Sequence, residues 1–156
     1  LEDIKNLVVT GDFTLGTAVR QFEERFAQVC NLPYTVGVGS GTDALILSLK
    51  IMGVGPGDEV ITTTNTFIAS VGAIAMTGAK PVFVDNNDVY TIDVNKIEEA
   101  ISPRTKAILP VHLTGHPADM PAIMEIAKRK HLLVIEDAAH AIGAEYRGKK
   151  IGVCAT

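Results

Sequence analysis

Apolar residues recur along this chain in two alternating rhythms. Val19, Phe22, Phe26 and Val29 fall three and four apart, which predicts an amphipathic helix over about 17–30 with Glu23, Glu24 and Arg25 on its wet face. A short β-branched run predicts a buried strand at 35–39, and Ala44, Leu45, Leu49 and Met52 then mark the inward face of a second helix. Residues 53–58, rich in glycine and holding Pro56, read as a turn. Further strands are expected at 59–63, 80–85, 106–111 and 131–136, with Pro81 suiting a strand end. Between them lie a small-residue helix over about 67–76, a helix from an Asp93 N-cap through Ile97 to Ile101, and a helix over 120–130 with Ile123, Ile126 and Ala127 inside. Residues 145–152 read as a small hairpin around a glycine turn. Strands separated by helices are βαβ units, so the expected fold class is α/β: a layered αβα domain around a mostly parallel sheet.

Composition narrows the function classes. The 156 residues suffice for one domain with a sizeable core. The 14 Lys and Arg against 18 Asp and Glu leave a formal charge of −4 without a basic cluster, which argues against nucleic acid as a partner and against an electrostatic membrane anchor. No apolar run reaches the length of a membrane span, and the start lacks a signal-peptide pattern. Cys30 and Cys154 make neither a disulfide framework nor a zinc knuckle, which suits a reducing cytoplasm. Both ends of the sequence read as cuts. The expectation is one truncated domain over 1–156, with 1–34 a helical segment and loop of the same domain.

In open α/β sheets ligands gather beyond the carboxyl ends of the strands, so the residues that follow each strand are the candidates. Gly39-Ser40-Gly41-Thr42 opens a helix directly after a strand. Free N–H groups and the helix dipole suit a phosphate there, with the Thr42 hydroxyl as a further donor; the alternative is an ordinary helix cap. The segment has neither the GxGxxG nor the GxxxxGK[ST] pattern, so no dinucleotide fingerprint or Walker loop is supported. Asp137 and His140 follow a very apolar strand. A carboxylate in that place calls for a cation or several donors, and the aromatic nitrogen cation of a cofactor would serve, as would a simple cap on the turn at Ala138. Phe67 is either core or a ring-stacking platform. His112, His116 and His140 do not read as a metal site, because Gly115 and Pro117 keep 112–116 off a helix and no carboxylate or Cys completes a ligand set.

Taken in order, GSGTDAL, NTFIAS, PVHLTGHPADM and EDAAHAIGAEYRGKKIG, preceded by GDFTLG and FEERFA, resemble the DegT/DnrJ/StrS family of sugar aminotransferases, which have the aspartate-aminotransferase fold type. The resemblance implies pyridoxal 5′-phosphate as cofactor. Gly41 and Thr42 would hold its phosphate, Phe67 would stack on its ring, and His140 would lie near the ring hydroxyl. Asp137 would pair with the protonated ring nitrogen, keeping the ring an electron sink for transamination. It further implies transfer of an amino group, from glutamate, to a keto-sugar nucleotide, in a homodimer or higher oligomer whose 11–16 loop helps shape the sugar-nucleotide pocket. Thr114 stands where many relatives have Tyr. The family's Schiff-base lysine lies on a later loop, beyond EDAAHA. Lys149 and Lys150, beside Arg147 in an exposed turn, lack the desolvation or positioned charge such a lysine needs. No catalytic lysine is therefore expected within these residues, and this stretch alone is expected to be inactive and to bind the cofactor weakly or not at all. The alternatives are an inactive phosphate-ligand-binding or self-associating module and, within the family, a cofactor-dependent sugar dehydratase.

Overall fold

The computed structural model describes residues 1–152, so Cys154 lies outside the described residues. The chain divides into two compact units, Leu1–Gly37 and the part from Val38 onward. In the first, α1 (Glu2–Thr10) is a helix that apolar spacing left unassigned, and it ends on Gly11 at φ 70°. The turn into α2 (Thr17–Cys30) is closed by Asp12, whose Oδ2 accepts the Thr17 N–H at 2.8 Å. A Cβ on Gly16 would lie 2.1 Å from Asp12 Oδ1, so the glycine makes room for that cap.

The expected bounds of α2 hold, but its faces differ from the expectation. Phe22 and Val29 are exposed, and the buried residue of the helix is Ala27. Glu23 is not simply wet: its Oε1 accepts the Gly37 N–H and its carbonyl oxygen accepts the Thr35 hydroxyl, both at 2.6 Å. The strand expected at 35–39 is absent among the described residues. Its β-branched pattern suits extended chain, but a ladder also needs a neighbouring strand, and Val36 stays exposed.

In the second unit, α3 (Gly41–Ile51) precedes β1 (Glu59–Thr63), α4 (Ile68–Met76), β2 (Lys80–Val84), α5 (Val94–Ile97), β3 (Thr105–Leu109), α6 (Met120–Lys130) and β4 (Leu133–Val134). The four strands are parallel in the order β2-β1-β3-β4, with Ile61 opposite both Val82 and Ile108. Successive side chains of a strand point to opposite faces, and here both faces are covered. Val60, Ala107 and Leu109 pack with Leu45 and Leu49 of α3 and Ala73 and Ile74 of α4. Ile61, Ile108 and Val134 pack with Ile97 of α5 and Met120, Ile123, Ile126 and Ala127 of α6. That is the expected αβα layering.

Three local expectations are corrected. Met52 is the C-cap of α3 and is partly exposed rather than turned inward. The helix after Asp93 is a single α-turn that tightens into a 3-10 turn at Glu98–Ala100 and ends before Ile101. The strand expected at 131–136 is reduced to two residues, because His131 is drawn into the left-handed cap of α6 at φ 56°. Beyond β4 the chain stays beside β3 through single bonds, Ile135 N–H to the Ile108 carbonyl and Asp137 N–H to that of Pro110. Finally β5 (Glu145–Tyr146) and β6 (Lys149–Lys150) form the expected hairpin, with Arg147 and Gly148 both at positive φ in a two-residue loop.

Candidate functional site

The sheet grows from β1 toward β2 on one side and then reverses to β3 on the other. The crevice beyond the carboxyl ends of β1 and β3 is therefore a topological switch point, where open α/β sheets bind ligands. The Thr62 hydroxyl ties the two strands there, donating to the Leu109 carbonyl at 2.9 Å. A cavity of about 220 Å³ opens at this place, and Gly41, Thr42, Phe67, Asp137 and His140 all line it. Five residues spread over a hundred positions of sequence thus meet around one space.

Each arrives for a local reason. Ser40 caps α3: its Oγ accepts the Asp43 N–H at 3.1 Å and its carbonyl accepts the Ala44 N–H at 3.0 Å. Nothing among the described residues takes up the N–H groups of Gly41 and Thr42. Cap and anion cradle are therefore compatible readings of one segment. A Cβ on Gly41 would meet open space. Phe67 is the N-cap residue of α4 and is 64% exposed, which removes the core reading and leaves its ring on the cavity wall. His140 lines the same cavity from an exposed turn.

Asp137 is fixed by its backbone and its side chain together. It forms a parallel bridge with Val111, and its carbonyl accepts the His112 N–H at 3.0 Å. Its Oδ1 accepts the Ala139 N–H at 3.3 Å, the local cap expected of it, while Oδ2 accepts the Ser70 hydroxyl at 2.7 Å. The capping reading accounts for one oxygen only.

Two residues at the site were given no role there by the sequence reading. Ser70 sits in the first turn of α4, a polar side chain on the inward row 70, 73 and 74; that break in the row was the available signal. His112 lines the cavity and is fully buried. Its Nδ1 accepts the Ala118 N–H at 3.0 Å, which assigns the ring proton to Nε2, facing Glu136 Oε2 at 3.0 Å. The same Glu136 oxygen accepts the Gly152 N–H at 3.2 Å. With both ring nitrogens engaged, His112 is a structural lock rather than a ligand. Among the described residues no group of three or more His, Cys, Asp or Glu is arranged to hold a metal ion. Neither Lys149 nor Lys150 lines the cavity, and Lys150 Nζ pairs with Glu145 at 2.8 Å.

Two carboxylates away from the cavity titrate below their ordinary range. At the amino end of β1, the Ser102 hydroxyl and the Arg104 guanidinium hold the Glu59 carboxyl below the usual carboxylate range. After β2, the Asn86 N–H and the Lys96 ammonium do the same for Asp85.

The family model of the DegT/DnrJ/EryC1/StrS aminotransferases matches residues 1–156. The dTDP-3-amino-3,4,6-trideoxy-alpha-D-glucose transaminase of Streptomyces venezuelae is 51% identical over 150 residues, which is 96% of this chain and 40% of that protein. The crystal structure of S. venezuelae DesV matches with a TM-score of 0.93 at 51% identity, over 96% of this chain and 40% of that one. NtdA of Bacillus subtilis, solved with bound cofactor PMP, matches with a TM-score of 0.89 at 44% identity, over 93% of this chain and 34% of that one. The chain therefore spans about two fifths of the length of the curated relative. By sequence and by fold, it belongs to the DegT/DnrJ/EryC1/StrS aminotransferase family.

Proposed function

We propose that the gene product carrying this chain is a pyridoxal-phosphate-dependent aminotransferase that moves an amino group, from glutamate, to a keto-sugar nucleotide. The observation that carries the reading is the convergence of Gly41, Thr42, Phe67, Asp137 and His140 on one cavity at the switch point. The donor set fits a pyridine phosphate: two open N–H groups at a helix start for an anion, an exposed aromatic face, and a carboxylate with spare acceptor capacity. The transaminase and the PMP-bound structure among the relatives support the same cofactor and substrate class.

When bound, the cofactor supplies an electron sink for the charge left as an amino donor loses its α-proton. The residues of this chain do the holding. Gly41 and Thr42 would hold the phosphate, the Phe67 ring would cover one face of the pyridine, and Asp137 would accept the ring N–H in a charge-assisted bond. His140, on the same wall, would lie near the ring hydroxyl. Leu45 and Val111 make part of the wall apolar and exclude water. No lysine lines this cavity among the described residues, so the lysine that the resemblance implies would come from outside this lining. The exposed apolar side chains Ile4, Val8, Val9, Phe22 and Val29 of the first unit support a homodimer or higher oligomer, which sedimentation would check.

The test is to incubate the gene product with pyridoxal phosphate, glutamate and a panel of dTDP-, GDP- and UDP-linked keto sugars. Mass spectrometry should find an aminated sugar and 2-oxoglutarate in equal amounts. No amine transfer to any member of the panel would overturn the reading, and loss of water from the sugar without gain of nitrogen would move it to the dehydratase.

A further inference from the structure

The buried residues within α4 are Ser70, Ala73 and Ile74, and of these only Ser70, which is fully buried, is polar. An alanine there would pack as well as Ala73 does, so the hydroxyl needs another reason to be present. Its single proton is given to Asp137 Oδ2 at 2.7 Å. The Thr66 hydroxyl lies 3.0 Å from Ser70 Oγ, and since Ser70 has no second proton to give, Thr66 is the donor in that pair. The result is a one-way chain, Thr66 to Ser70 to Asp137, with every proton directed toward the carboxylate. Hydrogen bonds aligned in series polarise one another, most of all where water is absent. The chain also crosses the fold. It links the loop after β1 and the start of α4 to the loop after β4, the segments that deliver Phe67 and Asp137 to the cavity wall.

We propose that Ser70, backed by Thr66, is a positioning residue that sets the orientation in which the Asp137 carboxylate meets the ring nitrogen of the bound pyridine. This rests on the cofactor reading above and deepens it. Without the Ser70 bond, Oδ2 loses its anchor and the carboxylate is held by the longer Ala139 contact alone. The ring nitrogen then meets a carboxylate free to turn. Phosphate holding at Gly41 and Thr42 does not pass through Ser70.

The experiment compares two probes on the gene product: pyridoxamine 5′-phosphate, and its 1-deaza analogue, in which carbon replaces the ring nitrogen. Affinities are read by calorimetry, with thermal unfolding of each variant alongside. Wild type should bind the pyridine probe about 10- to 100-fold more tightly than the deaza probe, the usual range for a hydrogen bond to a charged group. Ser70→Ala should lower that ratio by about 3- to 10-fold, mainly through the pyridine probe. Ser70→Thr should restore it, and Thr66→Val should lower it less. If Ser70→Ala weakens both probes equally, or neither, Ser70 is only a packing residue and the proposal fails while the cofactor reading stands. If wild type binds neither probe, the cofactor reading itself fails and takes this assignment with it.

Discussion

The amino and carboxyl ends of the same four strands are built to opposite rules. At the amino end, the Glu59 side chain is 5% exposed and enclosed by Ser102, Arg104 and Lys80. Lys106 beside it donates to the Gly53 carbonyl at 2.7 Å and pairs with Asp58. Donors and acceptors there are taken up within the fold. At the carboxyl end, the Gly41 and Thr42 N–H groups are open and Phe67 faces solvent. There too Thr114, a β-branched residue, sits at φ 55°, a conformation that such residues rarely adopt. The contrast teaches where folding ends and binding begins. Changes at the amino end should move stability and leave ligand affinity alone, and changes at the open groups of the carboxyl end should do the reverse.

Asp137→Ala gives the largest loss of affinity. It should raise the Kd for pyridoxamine phosphate by about 100-fold or more in calorimetry, and cost about 1–3 kcal/mol of stability because the buried Ser70 hydroxyl loses its acceptor. His112→Ala is meant to break the comparison, because His112 is at the carboxyl end yet satisfied internally. Removing it takes the acceptor from the buried Ala118 N–H and opens a void, so urea unfolding should show a loss of about 2–4 kcal/mol.

Gly41→Ala sharpens the contrast from the other side. Its Cβ enters open space, so stability should hold or rise by up to about 1 kcal/mol while affinity for the phosphate-bearing probe falls about 10-fold. Glu59→Gln should have the smallest reach, on stability alone. The folded carboxyl titrates below its unfolded value, so its stabilisation is complete above about pH 4.5 and is lost as pH falls through the folded value. Wild type should therefore exceed the variant in unfolding midpoint at pH 7, and the gap should close on acidification. Probe affinity at pH 7 should be the same for both.

Much of this was legible because the signals are local. Short apolar, β-branched stretches mark 59–63 and 80–84 whatever their partners, and the rule of strand carboxyl ends picks out Asp137 without knowledge of the fold. What was illegible depends on a neighbour far along the chain. Residues 35–39 have the pattern of a strand but no strand beside them among the described residues. Phe67 has the hydrophobicity of a core residue, and only its place before α4 leaves the ring exposed. Glu23 reads as solvated until the 35–37 segment folds back onto it. Ser70 is the sharpest case. Its spacing reveals a break in an apolar row, but the partner that explains the break lies 67 residues on.

The most direct test of the central claim is a crystal structure of the gene product with pyridoxamine 5′-phosphate. The account requires the phosphate on the N–H groups of Gly41 and Thr42, the ring against Phe67, and the ring nitrogen within hydrogen-bond distance of the Asp137 carboxylate. Ligand density elsewhere on the protein, or in the cavity with the ring nitrogen turned away from Asp137, would contradict it.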